Sequence, residues 1–425
     1  MTARLRGFIV VTGSELVRGD RRDLNGPFLA AELLRHGVEP ARISIVGDRE
    51  EELAEALAEG LGAVDLCVVS GGLGPTHDDR TVELVARAAG VGLRLDEELH
   101  EQIGGISRAF ADRLGRPYVD FEAGVRKQAT IPEGAHSLGL AGTAPGLVLE
   151  HGETVVVVLP GPPAELQRLW GKALESEPVQ RVFARTRSPG LRRLRFFGVS
   201  ESTVAKALAN AGGDGDGVEA TICARDFEIH VDLVVDPGAE ARADELAQQL
   251  VAPLERQLFS RDERPIEELV LDLCRARGLT LGTAESCTGG MVAERLTSVA
   301  GSSDVFVGAV VAYADDVKAR ELGVQREVLE RHGAVSAETA AAMAGGARER
   351  LGADIAVAVT GIAGPGGGSD EKPVGLVFLH VEGAIGSRNA DFVFPGDRTS
   401  IRRRATVTAL HLLRRLLEQT RDESA

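Results

Sequence analysis

The chain has 425 residues, 44% of them hydrophobic and 26% charged, and its 48 basic residues against 64 acidic ones leave a formal net charge of −16. That composition is globular, and the length exceeds one ordinary core, so about two to four domains are expected. The acidic balance repels polyanions and argues against nucleic acid as a partner, while a nest of backbone N–H groups could still hold a small phosphorylated ligand.

Four cysteines, Cys67, Cys223, Cys274 and Cys287, form no C-x-x-C pair and fall within apolar segments. This argues against a disulfide framework or a zinc site and for a reducing cytoplasm. Phe8 to Val11 is too short for the apolar core of a signal peptide. No segment approaches the ~20 apolar residues that span a bilayer, so no membrane role is expected.

From Phe8 onward, short apolar runs alternate with amphipathic ones. "FIVVTG" reads as a strand, 25–36 as a helix, "ARISIVGD" as a strand, 50–61 as a helix and "DLCVVSGG" as a strand. Such alternation predicts a mostly parallel sheet with helices on both faces. Glycine turns at Gly13, at Gly71 with Gly72 and at Gly161 would meet at its carboxyl edge, where ligands bind in doubly wound sheets. Beyond "VVVVLPGPPAELQRLW", residues 180–258 read as a small α+β module: strand, helix, the loop "AGGDGDG", two adjacent strands and a helix from Ala239. "RDERP" at 261–265 reads as a linker to a third, glycine- and alanine-rich α/β unit. The glycine-rich loop at 360–375 interrupts that unit, and a loop so long is expected to be functional or mobile.

Several strings carry chemistry. In "VVSGGLGPTHDD", Gly71, Gly72 and Gly74 let backbone approach a phosphate, Thr76 can donate a hydrogen bond, and Asp78 or Asp79 can hold a hard cation. The plainer reading is a tight turn with aspartate caps. Glu15 in "VTGSELVRGD" and Glu165 in "LPGPPAEL" would bring further carboxylates to the same edge, and His77 reads as solvent-exposed. Near the other end, "TAESCTGG" at 283–290 joins an apolar strand to a helical pattern, a junction that favours an anion or an activated nucleophile. A serine or threonine there also serves simply as an N-cap. Downstream lie Tyr313, one of two tyrosines in the chain, then Lys318, Thr360 and a last helix opening with Asp397 and Arg398.

Taken together, "TGSELVRG", "GGLGPTHDD" and "LPGPPAE" resemble the molybdopterin-binding-like domain of MoaB/MogA type. In this order, and followed by "TAESCTGG", they resemble the CinA family of competence/damage-inducible proteins over nearly the whole chain. The resemblance implies a three-layer α/β domain at 1–175, a KH-like α+β connector at 176–260 and an α/β deamidase domain at 261–425. The connector lacks a GxxG clamp, so RNA binding does not carry over.

For the first domain the resemblance implies hydrolysis of ADP-ribose to AMP and ribose 5-phosphate. Gly71, Gly72, Gly74 and Thr76 would line the phosphates, and Asp78, Asp79, Glu15 and Glu165 are candidates for a divalent metal of Mg2+ or Co2+ type. For the last domain it implies deamidation of nicotinamide mononucleotide without a cofactor, in a cytoplasmic homodimer. Ser286 would be the nucleophile rather than Cys287, with Tyr313 relaying a proton to Lys318. A lysine acts as base near neutrality only if its surroundings lower its ordinary pKa of ~10.4. Thr288, Gly289, Gly290 and Thr360 would hold the oxyanion or the substrate phosphate, and Arg398, ahead of Arg402, would fork onto that phosphate. The alternative is a non-enzymatic nucleotide- or pterin-binding regulator linked to competence or DNA damage.

Overall fold

A strand that is apolar at every position must be covered on both faces. In the computed structural model, which describes residues 4–62 and 64–419, the chain divides into two compact units, Met1–Gly190 and Leu191–Ala425. The first holds β1 (Leu5–Thr12), β2 (Val38–Val46), β3 (Leu66–Ser70), β4 (Leu93–Leu95), β5 (Thr130–Pro132), β6 (His136–Leu140), β7 (Pro145–His151) and β8 (Thr154–Leu159). Six of these form a sheet in the order β2-β1-β3-β8-β7-β6, parallel from β2 to β8 and antiparallel beyond.

Alternate residues of its central strands feed two cores. Phe8, Val10, Cys67 and Val69 pack with Leu53, Leu57 and Leu84 from the helices Glu50–Gly62 and Thr81–Ala89. Ile9, Val11 and Val68 pack with Leu29, Leu33, Leu166 and Trp170 from the helices Asn25–Arg35 and Pro163–Glu175. The expected three-layer α/β domain results. Inside the second core the Trp170 indole N–H donates to Glu32 Oε2 at 3.1 Å, giving two buried polar groups a partner. Strand β2 begins three residues before the "ARISIVGD" run. Its early residues include Pro40, which an edge strand accepts because one side needs no ladder N–H.

The second unit holds β9 (Gly190–Phe197, entered from the last residue of the first unit), β10 (Val218–Arg225), β11 (Glu228–Val235), β12 (Leu258–Ser260), β13 (Leu281–Glu285), β14 (Phe306–Val311), β15 (Ile355–Gly361), β16 (Leu376–Gly383) and β17 (Gly386–Val393). A four-stranded sheet, β10-β11-β9-β12, packs on the helices Glu201–Asn210 and Glu240–Val251, as an α+β module should. The "RDERP" segment is pinned rather than loose. Ser260 Oγ donates to Asp262 Oδ1 at 2.7 Å, and Arg264 reaches Asp262 at 2.9 Å and Asp272 at 3.1 Å. The Arg264 guanidinium holds the Asp262 carboxyl down to about 2. Read alone, alternating charges suggest a solvated linker; Asp272, on the following helix, supplies a partner that the local string does not show.

The five-stranded sheet runs β14-β13-β15-β16-β17. One face packs Leu281, Val357 and Val359 on Ile401, Leu410 and Leu413 of the long helix Arg398–Gln419. Its other face presents Ala284, Ala356 and Ala358 to Met343, Ala344 and Ala347 of the helix Ala337–Leu351. Small residues allow that helix a close approach, and a Cβ at Gly346 would lie 1.8 Å from the Leu322 carbonyl oxygen.

All four cysteines are free. Cys223 departs from expectation by being exposed, because β10 is an edge strand with one open face. No described helix is long and apolar enough to cross a membrane.

His411, on the long helix, is fully buried against the module. Its Nε2 lies 2.8 Å from Glu228 Oε1 and its ring stacks on Phe197 at 3.7 Å. Burial drives its pKa down from 6.5 to about 4. At Glu228, burial pushes upward but hydrogen bonds from His230 and His411 outweigh it, leaving the carboxyl below its ordinary range. The unfolded chain therefore binds protons that the folded one refuses. Stability from His411 is present above pH 6.5 and is lost as the pH falls from 6.5 toward about 4, by roughly 3 kcal/mol. Urea unfolding at pH 7 and pH 5 should show a larger loss for the native protein than for His411→Gln; equal losses would refute the linkage.

Candidate functional sites

Strand β13 lies between β14 and β15, parallel to both. The chain leaves β13 toward β14 and leaves β15 toward β16, on opposite sides, so a crevice opens at the carboxyl ends of β13 and β15. Glu285 is in register with Val311 and Val359, which brings Ser286, Tyr313 and Thr360 to one sheet edge. The Ser286 N–H donates to the Val359 carbonyl at 2.9 Å. The residue is 7% exposed, and its hydroxyl makes no hydrogen bond among the described residues. The serine is therefore not a helix cap.

That task falls to Glu285, which the sequence reading passed over. It is fully buried, and its carboxylate accepts the N–H groups of Gly290 at 3.0 Å, Val292 at 3.1 Å and Ala293 at 2.9 Å. A carboxylate just ahead of a glycine-rich helix start was the available signal. Burial pushes the neighbouring Cys287 thiol up to about 12, with the Glu285 charge acting in the same direction. The thiolate that a nucleophilic cysteine needs is thus suppressed.

Lys318 is 1% exposed, and its Nζ donates to the main-chain carbonyl of Tyr313 at 3.0 Å and to Asp315 Oδ1 at 3.4 Å. The Tyr313 phenol is exposed and accepts from Arg398 Nη2 at 3.1 Å, while Arg398 Nη1 donates to the Gly364 carbonyl at 2.7 Å. Lysine and tyrosine thus meet through the backbone, and no phenol bridge from Ser286 to Lys318 is formed here.

The binding candidates differ in what they have left to offer. Gly290 gives its N–H to Glu285, Gly289 gives its N–H to the Ser286 carbonyl, and the buried Thr360 hydroxyl donates to the Ala334 carbonyl at 2.7 Å. Thr288 is fully buried, and its hydroxyl has no partner among the described residues. Arg402 clamps the turn from the long helix, donating to the carbonyls of Cys287 at 3.0 Å and Thr288 at 2.7 Å. The long glycine loop is tied down as well, since Lys372 Nζ donates to the carbonyls of His332 and Val335, each at 2.7 Å.

In the first unit β1 and β3 are neighbours; the chain leaves β1 for β2 on one side and, after β3, re-enters the sheet on the other side at β6, which sets a second crevice. Gly71 has φ 104°, and a Cβ there would lie 2.6 Å from the Thr12 carbonyl oxygen, so only glycine suits the position. Asn25, not singled out from sequence, donates from Nδ2 to Ser70 Oγ at 2.9 Å and to the Gly161 carbonyl at 2.8 Å. Asp48, equally unmarked, accepts from the Ser14 N–H at 3.0 Å and the Thr12 hydroxyl at 3.3 Å. Gly72, Gly74, Asp79, Lys127 and Gln128 are among the residues lining a cleft of about 220 Å3.

Around that cleft the expected roles divide. Thr76 gives its hydroxyl to Asp78 and Asp79 rather than keeping it for a ligand. This contact holds the Asp78 carboxyl below its ordinary range. His77 is exposed. Glu15 folds back on Gly13 and Glu165 lies against Gly142, where added Cβ atoms would come within 3.0 and 2.6 Å of their carboxylate oxygens. Among the described residues no three His, Cys, Asp or Glu side chains gather for a metal, so the four carboxylates do not form one site. Asp78 and Asp79 suit a Mg2+-type ion that takes one or two protein carboxylates and completes its shell with substrate phosphate. Glu15 and Glu165 do not join them.

Residues 263–417 match the family model of the CinA C-terminal domain, and residues 8–179 match that of a probable molybdopterin binding domain. A CinA-like protein of Mycobacterium avium is 45% identical over 435 residues, covering 98% of this chain and 99% of that protein. Another from Mycobacterium tuberculosis is 44% identical over 432 residues, 98% of each. The crystal structure of competence/damage inducible protein CihA from Agrobacterium tumefaciens, 47% identical, covers 37% of this chain and 99% of its own, with a TM-score of 0.35.

Proposed function

The chain belongs to the CinA family, and on that premise we propose that it is a two-site nucleotide hydrolase, acting as a homodimer. Its second unit deamidates nicotinamide mononucleotide to nicotinic acid mononucleotide, and its first hydrolyses ADP-ribose to AMP and ribose 5-phosphate. The observation that carries the amidase reading is the uncommitted Ser286 hydroxyl in a strand-end crevice that also bears Tyr313 and the buried Lys318.

The chemistry follows from those groups. Ser286 Oγ attacks the carboxamide carbon and its proton passes to the Lys318 amine, with Tyr313 beside it. The C–N bond then breaks and ammonia leaves with that proton; water cleaves the acyl ester and frees the carboxylate product. The N–H groups of Cys287 and Thr288, which lie beside the Cys287 sulfur, are the donors proposed for the developing oxyanion. Arg398 forks onto the mononucleotide phosphate.

At the other site, Gly71, Gly72 and Gly74 give the backbone room to approach a pyrophosphate, and Lys127 lines the same cleft as Asp79. A divalent ion bound with the substrate at Asp78 and Asp79 would offset phosphate charge and lower the pKa of water. The engaged Thr76 and the dispersed carboxylates favour a second reading for this unit, a nucleotide- or pterin-binding site without cleavage.

Incubating the purified protein with nicotinamide mononucleotide and with ADP-ribose, and assaying ammonia and AMP separately, tests both readings. AMP formation should require a divalent cation and fall at least about 100-fold in Asp78→Ala or Asp79→Ala. Normal rates in both variants would remove the metal role, and tight ADP-ribose binding without AMP would select the binding reading.

A further inference from the structure

We propose that Glu285 is the positioning residue of the amidase site, holding the Ser286–Gly290 turn in its working shape and turning away any anion from the helix start behind it. The proposal rests on the amidase reading for its kinetic consequences, though not for its structural ones. The helix Met291–Thr297 is short, with little hydrogen bonding of its own to fix where its first turn lies. Two side chains hold the turn, one through its carbonyls and one through its N–H groups. Arg402 grips the carbonyls of Cys287 and Thr288, and Glu285 grips the N–H groups of Gly290, Val292 and Ala293.

Three donors on two oxygens require that both oxygens accept, so a carboxylate fits and an amide does not. Gln would set its own NH2 against at least one backbone N–H. Because Glu285 directly precedes Ser286 and is clamped in β13 between Val311 and Val359, a shift of the turn swings the serine hydroxyl relative to Lys318 and to the N–H groups of Cys287 and Thr288. A misplacement of about 1 Å is enough to cost on the order of 100-fold in rate.

The same contacts bear on substrate recognition. A strand–turn–helix junction usually offers its free N–H groups to phosphate. Here a protein carboxylate already occupies them, and its negative charge repels a second anion. The mononucleotide phosphate is thereby directed to the exposed Arg398, and the turn is left to the neutral carboxamide.

The test compares the full-length protein with Glu285→Gln and Glu285→Asp. Glu285→Gln should lower kcat for nicotinamide mononucleotide by about 30- to 100-fold with KM changed less than about twofold, since the residue touches no substrate. Glu285→Asp, keeping both acceptor oxygens, should recover part of that loss. Amide hydrogen exchange of residues 286–297, read without substrate, should accelerate in Glu285→Gln and less so in Glu285→Asp. Unchanged exchange in Glu285→Gln, wild-type kcat in that variant, or a loss confined to KM would overturn the proposal. If the native protein releases no ammonia, the amidase reading fails while the exchange comparison still decides what Glu285 does.

Discussion

Replacing Ser286 by alanine is expected to stop ammonia release from nicotinamide mononucleotide, lowering kcat by about 10^4-fold or more, as loss of a covalent nucleophile does. The fold should survive. The backbone hydrogen bond from Ser286 to Val359 is independent of the side chain, and the hydroxyl has no partner among the described residues to leave unsatisfied. AMP formation from ADP-ribose should continue at its normal rate, because the residues proposed for it lie in the first unit. Cys287→Ala is the paired control. Its thiol is buried and pushed up to about 12, so removing it trims packing and leaves kcat within a few-fold of wild type. Retained turnover in Ser286→Ala together with its loss in Cys287→Ala would reverse the assignment.

The second large effect is expected at Lys318. Its amine is almost wholly enclosed and, among the described residues, engages the Tyr313 carbonyl and Asp315. Methionine preserves most of the stem's volume and removes the amine. Loss of a positioned proton acceptor typically costs 10^2- to 10^4-fold, and about 10^3-fold is expected for Lys318→Met in kcat. Stability should not follow activity. The Asp315 side chain is 59% exposed and keeps water as a partner when the amine is removed, and methionine fills the enclosed space, so the thermal midpoint should change little while turnover collapses. A variant that melts early and loses activity in proportion would assign Lys318 to the fold rather than to the proton transfer.

Much of the architecture is legible in the chain because burial and periodicity are local properties. "FIVV", "LCVV" and "VVVV" are apolar on both faces and so need helices on both sides, and their glycine-bearing ends mark one edge of a sheet. The four-residue apolar strings cannot say which strands are neighbours. Strand order, and with it the two crevices, follows from the connections closing over both faces.

Side-chain direction is the other property that a linear reading lacks. Glu15, Asp78, Asp79 and Glu165 all follow strand ends, yet two fold onto nearby glycines and two share Thr76. The tyrosine and lysine expected to exchange a proton through the phenol meet through a main-chain carbonyl instead. Glu285, sitting in plain view inside "TAESCTGG", declares its role only when the backbone brings three N–H groups onto it. By itself the sequence determined the layers, the glycine turns and the stretch that would carry the serine, since these depend on hydrophobicity and on φ. Only the tertiary structure decided which donors are already engaged, because a hydrogen bond is a matter of angle and of ångströms between residues far apart in the chain.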